Sequence, residues 1–215
     1  MLRLANSAYY GLGGRVRTVP FAVTLVGFHH HPRHGRSGGR RGRRRGGAAP
    51  QLLGPLRAVA RACDEMAPSF GIARLDAFTL GLLAGLGQAV LSHAAPDVYT
   101  GLLGEQEVVD GGRAALVAAE VRAFGVPHSE VSALVLSSWS FPREVVDALH
   151  LLDAPSARST PWSTCLATAV EAAGRLDDRP ELHTDVAVIS EGVITEDRVT
   201  AMMPRLREAE SDADW

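Results

Sequence analysis

The chain has 215 residues, of which 46% are hydrophobic, so it is long and apolar enough to fold around one or two packed cores. Its formal charge of −2 hides a division, because every basic residue is Arg and seven of the 22 lie between His29 and Gly47, where there is no acid. The other 15 Arg face 24 acidic residues, which indicates an acidic body with a short cationic segment.

The cysteines and the first residues indicate the compartment. Cys63 and Cys165 stand in apolar, helical surroundings and form no C-x-x-C pair, which predicts two buried free thiols rather than a disulfide. The N-terminus lacks the cationic and then apolar pattern of a signal peptide. We therefore expect a cytoplasmic protein that does not attach to a membrane.

The first predicted element covers residues 1–14, where amphipathic spacing ends in a glycine cluster. It contains the run L-R-L-A-N-S-A-Y-Y-G at residues 2–11. An apolar stretch at residues 21–28 then follows a proline that suits a helix start. This combination resembles the HDOD domain, the HD-related, non-catalytic output module of bacterial signalling proteins. In that family several helices precede the motif, so we expect the natural chain to begin upstream of Met1.

Three polar residues of this motif are candidate interaction residues: Asn6, Ser7 and Tyr10. Asn and Ser near a helix end usually satisfy backbone groups, and a pair of tyrosines usually packs. A structural role therefore competes with direct ligand contact for all three.

Residues 29–50 have no apolar periodicity, many glycines and dense positive charge, which predicts an Arg/Gly-rich disordered loop. Phosphates of nucleic acid could bind its clustered arginines, namely Arg40, Arg41, Arg43, Arg44 and Arg45. Its histidines could bind a metal, although no acid or Cys joins them: His29, His30, His31 and His34. We favour a further alternative, a reading-frame slip in GC-rich DNA, which yields this mixture of Arg, Gly, Ala and Pro.

Residues 76–93, DAFTLGLLAGLGQAVLSH, predict the central helix of an all-helical domain, buried on every side. Asp76 is its expected N-cap, and Gly81 and Gly85 would let a neighbouring helix approach closely. The stretch is shorter than the roughly 20 apolar residues that a membrane span needs. A helix predicted over 51–70 should pack against it.

The same stretch bears on catalysis. In metal-dependent phosphohydrolases of the HD superfamily the buried helix reads roughly G-L-L-H-D-I-G, and its His and Asp are metal ligands. Here Ala84 and Gly85 replace that pair, and neither side chain carries a lone pair. The resemblance therefore implies no catalytic metal, no cofactor and no enzymatic activity.

Residues 105–124 predict a helix that is flawed at Gly111-Gly112 and closed by Gly125. A second match to the HDOD pattern follows, and its candidate interaction or structural residues are Glu120, His128, Glu130 and Trp139. His128 near Glu130 could form an acid–base or ligand pair, but a structural hydrogen bond is commoner at a helix start. Where the family tends to carry a His pair before a proline, this chain has only His150.

The remaining chain predicts one helix over 161–176 and two short ones over 181–190 and 196–208. Ser140 is the expected cap of the helix that Pro142 enters, Thr195 is that of the last helix, and Pro204 should kink or shorten it. The predicted organisation has three parts. An HDOD-like domain covers residues 1–28 and 51–176, a loop covers 29–50, and a C-terminal region of short helices with an acidic tail covers 177–215.

The sequence thus predicts an all-α, HD-superfamily-like helical bundle. The resemblance implies a non-catalytic bacterial regulatory domain that acts through protein contacts or a small ligand in a residual cleft. The alternatives are a degenerate HD-type phosphohydrolase with weak metal-dependent activity, and nucleic-acid binding through the Arg-rich segment. No nucleophile–His–acid triad, phosphate-binding glycine loop or zinc spacing occurs in the sequence.

If residues 29–49 are a misread helical region, replacing them with the sequence of the alternative frame, together with the upstream helices, should raise the melting temperature measured by circular dichroism. The physical reason is that buried apolar area contributes about 25 cal/mol per Å². The opposing result is tight RNA binding that weakens steeply with salt and is lost, at unchanged stability, when Arg40, Arg41, Arg43, Arg44 and Arg45 are mutated.

Overall fold

The computed structural model describes residues 49–153 and 160–211, and these ranges contain no β-strand. Their α-helices are α1 Ala49–Met66, α2 Arg74–Leu83, α3 Leu86–Ala94, α4 Pro96–Leu103, α5 Gln106–Phe124, α6 His128–Ser138, α7 Arg143–Leu151, α8 Pro161–Gly174, α9 Val186–Ile189 and α10 Glu196–Ser211. Short 3-10 helices occur at Ala67–Phe70, Arg175–Asp177 and Pro180–Leu182. The prediction of an all-α bundle is confirmed.

Helix α1 occupies the centre of the main core, because α2, α8 and α10 all pack against it. Its inward face is made of small and flexible side chains that are fully buried, among them Ala58, Ala62, Cys63 and Met66. Small residues let several helices approach one axis at once. The structural hub is therefore the helix predicted as a neighbour, and not the stretch predicted as central.

The predicted central helix over 76–93 is wrong in its continuity. The chain forms α2 and α3 with a break at Ala84 and Gly85, and Gly85 is the non-helical N-cap of α3. The start also differs, since Ala73 is the N-cap of α2 and Asp76 lies in its first turn. Burial is also incomplete, because Leu82 is 37% exposed and Ala89 is exposed.

The close approach expected at Gly81 is confirmed. A Cβ atom on Gly81 would lie 2.5 Å from the Cα of Ala60 in α1, so only glycine fits there. The chain uses the same device at Gly87, where a Cβ would lie 1.9 Å from the backbone oxygen of His128 in α6. The helix-propensity cost of about 1 kcal/mol per glycine is thus offset by tight packing of α2 on α1 and of α3 on α6.

Membrane-span criteria also bear on this stretch. Residues Arg74–Ala94 form a segment of 21 residues that is long and apolar enough to cross a bilayer by length and composition, so the prediction that it is too short is wrong. A helix from a protein core meets the same two criteria. Here the segment breaks at Ala84 and Gly85, and its two halves pack against α1 and α6.

Helix α5 contains the flaw predicted at its double glycine. Gly112 has φ 59° and ψ −142°, which interrupts the helical path, and Gly125 at φ 80° ends the helix in the left-handed conformation. The cap expected before α7 is wrong, because Pro142 occupies the N-cap position, while Ser140 lies in a turn with φ 59°.

The C-terminal helices belong to the main core. Val186, Ile194, Val199, Met202 and Leu206 are buried in the same cluster as the residues of α1 and α8. Glu196–Ser211 forms one helix that contains Pro204, so the shortening expected there is wrong. The last helices are therefore part of the packed body rather than a loose appendage.

The two thiols confirm the prediction made for them, since Cys63 and Cys165 are free and fully buried. They meet across the interface of α1 and α8, where the Cys165 sulfur lies 4.0 Å from the Cys63 carbonyl oxygen. A hydrogen bond with Cys165 and burial together raise the pKa of the Cys63 thiol well above its usual range. A thiol with a raised pKa is a poor nucleophile, which fits a packing role.

Gly81→Ala should lower the free energy of unfolding by about 1–3 kcal/mol, because the added methyl group meets the backbone of α1. The matched control is Gly101→Ala in α4, where a Cβ atom would meet nothing within 4 Å. Since alanine is the better helix former, this control should be neutral or gain up to about 1 kcal/mol. Urea denaturation measures both, and equal effects at the two glycines would contradict the packing described for Gly81.

Candidate functional site

A continuous chain of hydrogen bonds runs from the core to the surface through five polar side chains. In order they are Tyr99 of α4, Glu120 of α5, His128 of α6, Arg113 of α5 and Asp153, which follows α7. Glu120 is completely buried and His128 is 1% exposed. Buried polar side chains of this kind are costly unless all of them find partners.

The Glu120 carboxylate accepts three hydrogen bonds. One oxygen accepts from the Tyr99 hydroxyl at 2.6 Å, and the other accepts from the His128 backbone N–H at 2.8 Å and from its Nδ1 at 2.7 Å. Burial, and after it the hydrogen bond to Glu120, raise the pKa of Tyr99 above its ordinary value. Three helices are thus held together at one carboxylate.

The protonation of His128 follows from its neighbours. The Nη1 of Arg113 lies 3.1 Å from the His128 Nε2, and because arginine can only donate, Nε2 must accept. The ring proton then sits on Nδ1 and is donated to Glu120. His128 is therefore a neutral imidazole whose only lone pair is engaged, so in this arrangement it can neither ligate a metal nor act as a base.

Arg113 links this buried pair to a surface carboxylate. Its Nη2 donates to both oxygens of Asp153, at 2.8 and 3.0 Å. Sequence reasoning missed both residues. The available signal was that Arg113 directly follows the double glycine, where the interruption at Gly112 re-aims the helix.

Ala84 and Gly85, where the sequence predicts that the HD metal ligands are replaced, lie next to this chain of hydrogen bonds. Ala84 and Gly85 line a cavity of about 190 Å³, which His128 and Arg113 also line. A Cβ on Gly85 would lie 2.3 Å from a methyl carbon of Leu56, so the Leu56 side chain occupies the space that a ligand at position 85 would need. Ala84 and Gly85 themselves offer no side-chain ligand atom, and Leu56 closes the space beside Gly85.

Ser132 of α6 holds the backbone of the break in place. Its hydroxyl accepts from the Gly87 N–H at 2.8 Å, and it lies 3.3 Å from the Ala84 carbonyl oxygen and 3.1 Å from that of His128. One buried hydroxyl thereby fixes the α2–α3 break against the helix that carries His128. The cavity wall is consequently rigid at this point.

The other predicted site residues lie apart from this chain. Glu130 contacts the Nδ1 of His150 in α7 and not His128. Trp139 is 38% exposed at the end of α6, with its ring centroid 6.4 Å from that of Phe141. The remaining candidates lie outside the described residues: Asn6, Ser7, Tyr10 and the arginines of the 29–50 segment.

Metal-binding groups are a further question. Across residues 49–153 and 160–211, no group of three or more His, Cys, Asp or Glu side chains could hold a metal ion. One histidine does contact two acidic side chains: His183 lies 3.0 Å from Glu171 and 3.1 Å from Asp177. They lie beside a larger cavity of about 430 Å³, whose wall also includes Arg113.

Comparison with known proteins identifies related sequences and folds. A family model described as the HDOD domain matches residues 1–33 and 45–155, which is more than half of the chain. The unmatched gap between these ranges lies inside the Arg/Gly-rich segment. No curated protein sequence matches at a significant level.

Two solved structures share the fold. The first is described as "Putative phosphohydrolase" from Shewanella amazonensis SB2B, with 22% identity and a TM-score of 0.59 over 97% of this chain and 79% of that chain. The second is the MmoQ response regulator from Methylococcus capsulatus strain Bath, with 26% identity and a TM-score of 0.57 over 96% of this chain and 82% of that chain. At 22% identity, the first likeness concerns the fold alone.

Tyr99→Phe should lower the free energy of unfolding at pH 7 by about 1–2 kcal/mol, because the buried Glu120 carboxylate loses a donor. The pKa of Tyr99 is higher folded than unfolded. Its contribution is therefore complete below about pH 10 and is lost as the pH rises further, so the variant should lose less stability above that pH than the original protein.

Urea denaturation between pH 7 and 11 measures both effects of Tyr99→Phe. Cys63 titrates on the alkaline side in both proteins, so the difference between the two pH profiles isolates the tyrosine. The control is Thr79→Val, which removes an exposed hydroxyl that bonds only within its own helix. An alkaline profile that is the same with and without the Tyr99 hydroxyl would contradict the assignment.

Proposed function

This chain belongs to the HDOD domain family, and from that premise we propose that it is a non-catalytic regulatory domain of a bacterial signalling system. It acts by binding a protein or a small ligand. Similarity to a protein described as a response regulator supports a signalling role. Both similar structures come from bacteria, which supports a bacterial origin.

One observation carries the non-catalytic part of the proposal. At the position of the HD metal ligands the chain has Ala84 and Gly85, and the Leu56 side chain fills the space beside Gly85. A metal site there would need two new ligand side chains and a displaced leucine. The side chains that coordinate a metal directly set its affinity. Because positions 84 and 85 supply neither of the two, metal binding should be drastically reduced.

The state of His128 supports the same proposal. An HD-type hydrolase needs imidazoles with available lone pairs at its metal. His128 lines the cavity, yet its Nε2 accepts from Arg113 and its Nδ1 serves Glu120. Both nitrogens therefore have structural partners, and the imidazole stabilises the fold around the buried Glu120 carboxylate.

A degenerate phosphohydrolase is the second candidate, favoured by the description of one similar structure. That likeness has 22% identity and supports the fold but not the activity. A third candidate, nucleic-acid binding, depends on arginines outside the described residues. The described ranges hold 11 Arg against 22 acidic residues, and an acidic body repels nucleic-acid phosphates.

A cytoplasmic location belongs to the same proposal. Both cysteines of the chain are free, buried and within contact distance across α1 and α8. Two neighbouring thiols that stay reduced are typical of a reducing compartment. We likewise propose a signalling protein as the partner, in agreement with the regulatory role.

The test is a metal and turnover assay on the purified full chain. We expect no stoichiometric Mn, Fe or Mg by elemental analysis and no hydrolysis of bis-p-nitrophenyl phosphate with any of these metals added. The physical reason is the absence of ligand side chains at positions 84 and 85.

A triple variant provides the comparison for that assay, because Ala84→His, Gly85→Asp and Leu56→Ala restore the pair and the space for it. It should gain metal binding relative to the original chain, while the double variant that keeps Leu56 should fold poorly. Stoichiometric metal in the original chain, with turnover abolished by a chelator, would show that the domain is an enzyme and that the proposal is wrong.

A further inference from the structure

The cavity at the α2–α3 break is lined mainly by apolar residues, with a few polar ones among them. It encloses about 190 Å³, and most of its lining is apolar, contributed by Pro55, Leu56, Val59, Leu116, Val170 and Ala173. Three polar residues complete the wall: Gln88, Arg113 and His128. A small apolar chamber with a few convergent polar groups is the usual form of a small-molecule site.

Within the part of the chain that the structure describes, Arg113 is the one charged residue of that lining. His128 is neutral, because its Nε2 accepts from Arg113 and its Nδ1 donates to Glu120. None of the described residues that line this cavity is acidic. The wall therefore favours a ligand with a negative charge or a strong acceptor and disfavours a cation.

The guanidinium of Arg113 keeps donors for such a ligand. Arginine has five N–H groups, and the contacts described use one nitrogen for His128 and one for Asp153. The side chain is 36% exposed, so it is within reach of an incoming molecule. A ligand carboxylate can accept charge-assisted hydrogen bonds from the N–H groups of the guanidinium that these contacts do not use.

The volume limits the rest of the molecule. An apolar protein cavity of about 150 Å³ holds a benzene molecule, whereas drug-sized ligands occupy about 300–1,000 Å³. A pocket of about 190 Å³ thus takes one small ring or a short branched chain and is too small to bury a nucleotide. We propose that this cavity binds a small organic carboxylate with a compact apolar body, its carboxylate on Arg113.

This inference rests on the proposed function in one respect, because it treats the former metal position as a binding site. Its ligand class comes from the described lining alone. Ala84 and Gly85 line the cavity, and the described part of its lining contains no acid. The same neighbouring Arg113 that engages His128 then becomes the anchor for an anion.

The experiment uses benzoate, benzamide and benzylamine as probes with the same ring and three different charges. Binding to the full-length chain is measured by ligand-observed NMR titration and by the shift in melting temperature. We expect benzoate to bind at low millimolar concentration or better and to raise the melting temperature. Benzamide should bind about tenfold more weakly or worse, since it lacks a charge-assisted hydrogen bond, and benzylamine should not bind.

Two variants locate the site. Arg113→Met combined with Asp153→Asn removes both charges of the pair, which avoids an unpaired carboxylate, and it should abolish benzoate binding. Ala84→Leu fills the chamber and should also abolish it while Arg113 stays. The matched control is Arg122→Met on the same helix, whose guanidinium pairs with Glu105 and Glu107. It should bind benzoate as the original chain does.

Three results would overturn the inference. The first is that benzoate at about 10 mM does not bind to the chain. The second is that benzoate and benzamide bind with equal affinity. The third is that the Arg113 and Ala84 variants still bind benzoate. None of these requires metal or turnover. The metal assay described above therefore decides the non-catalytic proposal separately, and either can fail while the other stands.

Discussion

The arrangement of α4, α5 and α6 depends on the buried carboxylate of Glu120. An ionised group removed from water costs several kcal/mol unless donors surround it. Donors from α4 and α6 meet it on α5, through Tyr99 and through both the backbone and ring of His128. Three helices must therefore hold one relative position. A second cluster of buried hydrophobic residues, separate from the main core, includes Tyr99 together with Leu91 and Val131.

Residue size at the break between α2 and α3 determines the space around it. Ala84 and Gly85 are both small, but the space beside each of them differs. Beside Gly85 the gap is closed by Leu56, whereas beside Ala84 a chamber remains that reaches His128 and Arg113. Small residues at the break thus allow close packing on one side and leave volume on the other.

Local signals in the sequence predicted much of this architecture, and tertiary contacts explain the differences. Periodicity located the helices, and Gly112 and Gly125 marked the flaw and the end of α5, because backbone conformation at a glycine is a local property. The break at Gly85 depends on the Ser132 hydroxyl from another helix. The Arg113–Asp153 pair joins residues 40 apart, which no spacing rule connects.

The packing of α10 on α1 has a consequence for how the chain is made. Arg57 near the start of α1 donates to the carbonyl of Glu210, a partner 153 residues later in the sequence. At roughly 5–20 residues per second, a ribosome needs about 8–30 s to synthesise that interval. During this time the apolar face of α1 that Met202 and Leu206 finally cover has no native partner from α10. Folding of the main core is therefore completed only after α10 has been synthesised, and until then the nascent chain exposes apolar surface that can aggregate.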